Sequence, residues 1–101
     1  MPEVDSEELR KAIRHLHGCD AVFVQRVHVE ETFNGKVAWE GAVSVFDLRG
    51  HPTATRAYAW SHAVDGSMNR RFHAVLHQGK VDSPLNAVRV AVVQEMRERG
   101  R

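Results

Sequence analysis

Seven histidines and one cysteine are the groups in this 101-residue chain with the most versatile chemistry. Zinc requires three or four converging imidazole, thiolate or carboxylate ligands. His15 and His17 stand two apart in a helical stretch and so do not share a face. His73 and His77 are four apart, but on an extended strand that separation is about 13 Å. Cys19 has no second cysteine to join it. The spacing therefore predicts no metal centre, and no cofactor is expected. A nucleophile is no better supported. Cys19 follows a helix C-terminus, the end that does not lower a thiol pKa. Ser61 and Ser67 lack a G-x-S-x-G elbow. Asp47 and Asp65 fall at turns, where aspartate serves the backbone. Glu30, Glu31 and Glu40 gather at one end of the strands and form no separated acid–base pair. Neither a dinucleotide fingerprint nor a P-loop is present. An enzyme with a histidine-lined site stays as an alternative reading, with no catalytic residue assigned.

What remains is a set of aromatic, basic and apolar residues: Arg26, His28, Trp39, Val43, Arg56, Tyr58, Trp60, His62, Arg71 and His73. Tyr, Trp and Arg are enriched where proteins bind one another. Their placement depends on the elements that carry them.

A helix is expected from Ser6 to His17. Leu9, Ala12, Ile13 and Leu16 form its apolar stripe, Asp5 and Glu8 resemble a capping box, and Gly18 ends it. An extended run over Ala21–Phe33 meets Asn34-Gly35, a two-residue hairpin signal. Lys36–Leu48 follows as a second strand and Arg49-Gly50-His51-Pro52 as a loop. Thr53–Val64 and Met68–Gln78 are the third and fourth strands, joined at Asp65-Gly66. Ser83 then caps a helix that opens with Pro84. Its stripe is Leu85, Val88, Ala91, Val92 and Met96.

This order predicts a single α+β domain over residues 1–101. The expected form is a two-layer sandwich, with a four-stranded antiparallel meander in order 1-2-3-4 and both helices on one face. Pairing the strands through the two tight turns and a loop closing at Leu48 and Thr53 sorts the residues into two faces. Small residues such as Ala57, Ala59 and Ala74 lie on one face, under the helices. The ten aromatic, basic and apolar residues lie on the other, with Trp60 over Gly41 and Arg71 beside Trp60. Gln25 and Ser44 are neighbours on the helix face. A one-residue slip would reverse a strand's faces.

Composition limits the partners. With 43% hydrophobic and 27% charged residues, the chain reads as an ordinary globular protein. A net charge of +1 argues against strong polyanion binding, although full histidine protonation would raise it to +8. No apolar run approaches the about 18 residues of a membrane-spanning helix. The acidic, polar opening is unlike a signal peptide, and a lone cysteine suits a reducing compartment. A cytoplasmic location is expected. The helix–strands–helix order resembles that of double-stranded RNA-binding domains in topology alone. The fourth strand and the Pro84-Leu85-Asn86-Ala87 opening of the last helix depart from that pattern. Nucleic acid or a small molecule bound on the aromatic face is therefore an alternative. The main expectation is a non-enzymatic interaction module that dimerises or binds a partner through that face.

Overall fold

The computed structural model describes residues 6–63 and 70–99. Its elements are α1 (Ser6–His17), β1 (Asp20–Phe33), β2 (Lys36–Arg49), β3 (Arg56–Ala63), β4 (Arg70–Leu76) and α2 (Pro84–Arg99). The class is α+β, and the four strands form one antiparallel sheet in order β1-β2-β3-β4. Among the described residues no helix is long and apolar enough to cross a membrane.

The local signals act as their chemistry requires. Gly18 ends α1 at φ +68°, its amide donating to the Arg14 carbonyl at 2.9 Å. Asn34 and Gly35 take φ of +54° and +76°, the two positive angles of a type I′ turn, so Phe33 faces Lys36. The Ser83 hydroxyl accepts the Asn86 amide at 3.2 Å, capping α2 ahead of Pro84. Asp5, the Asp65-Gly66 turn and the Val64–Ser67 pairing lie outside the described residues.

The helices do not share a face. Leu9 and Ile13 of α1 pack with Cys19, Ala21, Phe46, Ala57 and Ala59. Ala87 and Val88 of α2 pack instead with Val29, Val43, Val45, Tyr58 and Trp60. The sheet is thus the middle of three layers, which corrects the expected placement of both helices on one side. The reason is visible in β2 and β3. Val43–Phe46 and Ala57–Trp60 are buried at every consecutive residue, which requires cover on both faces because neighbouring side chains point oppositely. The small residues Ala57 and Ala59 lie beneath α1, as expected. Leu16 and Leu85 are 53% and 38% exposed, outside the stripes that dock their helices.

Three irregularities displace the expected pairing. A bulge between Phe23 and Gln25 shifts β1 by one residue, and a second lies between Glu31 and Thr32. Between them Val27, Val29 and Glu31 turn toward α2. Arg26, His28 and Glu30 turn away and are exposed. The bulge keeps three polar side chains out of the α2 interface, where they would be costly to desolvate. It also sets Gln25 against Val45 and Arg26 against Ser44, so the expected Gln25–Ser44 contact is absent. Glu31 then meets α2 directly, accepting a hydrogen bond from Arg89 Nε at 3.0 Å. The third irregularity is a longer β2–β3 loop. His51 Nδ1 accepts the amides of Thr53 and Ala54 at 3.1 and 2.9 Å, and the Leu48 amide reaches the Thr55 carbonyl at 2.8 Å. Closure at Thr55 rather than Thr53 moves the register by two, which preserves faces but changes partners.

Cys19 is buried, and burial followed by the neighbouring Asp20 charge pushes its thiol pKa up. As the chain's one thiol, it is expected to resist iodoacetamide in the native state and to be alkylated only as denaturant unfolds the chain. Rapid native labelling would contradict its burial.

Candidate binding groove along the edge strand

The ten residues expected to form one open surface are divided by the fold. Val43, Tyr58 and Trp60 are 0%, 2% and 2% exposed beneath α2, so they are core. Trp39 is half-buried and packs its indole on Trp60, with ring centres 5.9 Å apart. It is Trp39, not Trp60, that covers Gly41. A Cβ placed there would lie 3.0 Å from two atoms of the Trp39 ring. Arg26 and His28 lie on the opposite face because of the β1 bulge. The Arg26 guanidinium sits 5.9 Å from the Phe23 ring centre, and His28 Nε2 is 3.0 Å from Glu40 Oε2. Arg56 is held beside Asp47 at 3.3 Å.

His62, Arg71 and His73 stay together at the β3–β4 end of the α2 face. The two-residue register change puts His73 opposite Trp60 and Arg71 opposite His62. His73 therefore takes the position over Trp60 that was expected for Arg71, stacked at 5.0 Å and 15°. Its Nε2 lies 3.2 Å from His62 Nε2, so one nitrogen donates while the other accepts. Among the described residues no group of three His, Cys, Asp or Glu side chains could hold a metal ion.

Tyr58 and His77 make a second, part-buried polar pair, with Oη and Nδ1 2.5 Å apart. The Tyr58 pKa is raised, mainly by burial; Arg56 opposes the shift and Asp82 adds to it. A raised phenol favours the folded state fully below the ordinary value of about 10 and loses that contribution as pH rises through the folded value. Tyr58 is the chain's one tyrosine, so tyrosinate absorbance reports it directly. Ionisation is expected above the ordinary range, together with loss of structure. A titration at the ordinary value in folded protein would contradict the burial.

A broad concavity follows β4, an outer strand of the sheet. It is a groove of about 520 Å³ that wraps the strand from both faces. On the α1 side it is walled by Leu16, His17, Phe72 and Leu76. On the α2 side Val75, Val81, Val90 and Ala91 form the wall, with Gln94 above and Arg71 and His73 at one end. Two of the expected binding residues, Arg71 and His73, thus belong to this groove.

Its floor is backbone. The His77 amide donates inward to the Arg56 carbonyl at 2.8 Å. Bonding direction alternates along an antiparallel strand, so Phe72, Ala74 and Leu76 direct their N–H and C=O groups outward. His17 confirms this direction by donating from Nε2 to the Ala74 carbonyl at 2.8 Å. The Leu76 carbonyl accepts the Gln78 amide at 3.0 Å. Sequence reasoning missed this groove because it treated sheet faces and not sheet edges. The available signal was the position of β4 at the end of a 1-2-3-4 meander.

Compared with known protein families, with characterised proteins and with solved structures, the chain matches none significantly.

Proposed function

We propose that this protein is a binding module that takes up an extended segment of a partner chain along β4. The supporting observation is the combination at that edge: outward-directed backbone groups at Phe72, Ala74 and Leu76, between two apolar walls supplied by α1 and α2. An added strand gains affinity from main-chain hydrogen bonds and specificity from alternate side-chain pockets. Here the pockets on one side are built from Leu16 and Phe72, and on the other from Val75 and Val90. The aromatic face is a weaker candidate for nucleic acid, because Tyr58 and Trp60 lie under α2 and offer no ring for a base to stack on.

Panning a displayed library of short peptides against the folded chain tests the proposal. Bound peptides are expected to slow amide exchange at Phe72, Ala74 and Leu76, and Val90→Glu is expected to reduce their binding. Ligands that leave those three amides unchanged, or a library that yields none, would overturn it.

A further inference from the structure

We infer that the strand received by β4 is the β4 strand of a second copy of this chain, paired antiparallel about Ala74. This rests on the strand-binding reading of the groove and adds the partner and its register. The argument comes from the order of residues in β4. With the two-fold axis at Ala74, Phe72 faces the other copy's Leu76 and His73 faces its Val75. An axis at His73 would set that histidine against itself and Phe72 against Ala74. An axis at Val75 would set Phe72 against Gln78. Only the Ala74 axis brings the two large apolar residues of the α1 side together, with the small alanine giving room at the centre.

Charge selects the same arrangement. In a parallel pairing Arg71 would lie beside its own mate, which is unfavourable. About Ala74, Arg71 faces His77, and the two Arg71 residues stand six positions apart, about 20 Å. That exceeds the screening length of about 8–10 Å at physiological salt. Arg70 is already folded back on Ser61, donating to its hydroxyl at 2.9 Å. The walls agree as well. Leu16 and Val90 are 53% and 43% exposed and flank the groove on opposite faces of the sheet. A two-fold axis perpendicular to the sheet keeps faces matched, so α1 neighbours α1 and α2 neighbours α2. The result is one eight-stranded sheet with two helices on each side. A carbonyl oxygen accepts two hydrogen bonds, so those of Ala74 and Leu76 can each receive a partner amide while keeping the bonds from His17 and Gln78.

The register has a chemical test. His73 and the partner's Val75 would form a non-hydrogen-bonded pair with Cα atoms about 4.5 Å apart, within disulfide range. A residue and its own mate at position 73 would be diagonal neighbours about 7–8 Å apart, beyond easy bridging. Mild oxidation of His73→Cys mixed with Val75→Cys is therefore expected to give a covalent dimer, and neither variant alone should do so. Buried Cys19 does not compete. Light scattering of the unmodified chain should show a concentration-dependent dimer. The surface change Leu16→Arg should weaken it by at least about tenfold without lowering the melting temperature measured at concentrations where the chain is monomeric. A dimer that is indifferent to Leu16→Arg, or that cross-links equally in the unmixed variants, overturns this register. A chain that stays monomeric to the highest soluble concentration overturns the second copy as partner. The peptide experiment above decides separately whether β4 receives strands at all.

Discussion

Trp60→Ala is expected to cost about 3–5 kcal/mol of folding stability, the usual range for truncating a fully packed tryptophan. Trp60 is 2% exposed. Its indole touches Trp39 at 5.9 Å on one side and stacks with His73 at 5.0 Å on the other. Removing it leaves a cavity between the sheet and α2, and Val88 and Val43 lose a neighbour in the same cluster. Against a typical total of 5–15 kcal/mol, the loss should lower the melting temperature by well over about 10 °C. Urea denaturation followed by circular dichroism measures it. A loss below about 1 kcal/mol would mean that the residue sits at a surface and that α2 does not cover this face.

The second large effect lies across the sheet. Ile13→Ala is expected to cost about 2–5 kcal/mol, because Ile13 is 0% exposed and joins α1 to Phe46, Ala57 and Ala59. Ile13 and Trp60 belong to separate clusters on opposite faces, so their costs should add. The double variant is expected to be unfolded in water. A double variant scarcely less stable than either single one would show that one face carries no packing of consequence.

These expectations differ in kind from those the sequence invited. Its periodicities located α1, the Asn34-Gly35 turn and the Ser83-Pro84 start of α2, since each is dictated by local backbone chemistry. The meander order followed from short connections. The side of the sheet taken by α2 was written less plainly. The unbroken runs Val43–Phe46 and Ala57–Trp60 carry that information, because a strand open on one face alternates with polar residues. Arg56, His62 and Arg71 sit on the same face and disguised it as an open surface. The β1 bulge left no comparable mark. Ala21, Phe23, Val27 and Val29 keep an even spacing through the point where their side chains change faces. A bulge is decided by what each alternative would bury, and the cost of placing Arg26 and His28 under α2 is a tertiary quantity. The groove along β4 was recoverable from topology once the edge, and not the face, was considered.

The pairing pattern also governs how the chain can come apart. The β1–β2 ladder runs from Asp20 to Phe33 and the β3–β4 ladder from Ala57 to Ala63. Among the described residues, the pairs that join β2 to β3 extend only from Ser44–Ala59 to Asp47–Arg56. The sheet is therefore two hairpins joined by a narrow seam, with the Trp39 and Trp60 rings in contact where the hairpins diverge. Each hairpin closes over a short stretch of sequence, so its loop-closure entropy is small. The seam, with α1 resting on one side and α2 on the other, brings the two halves into one cooperative unit. Amide exchange should follow this division, slowest at Ser44–Asp47 and faster toward Lys36 and Arg70 at the far ends of the hairpins.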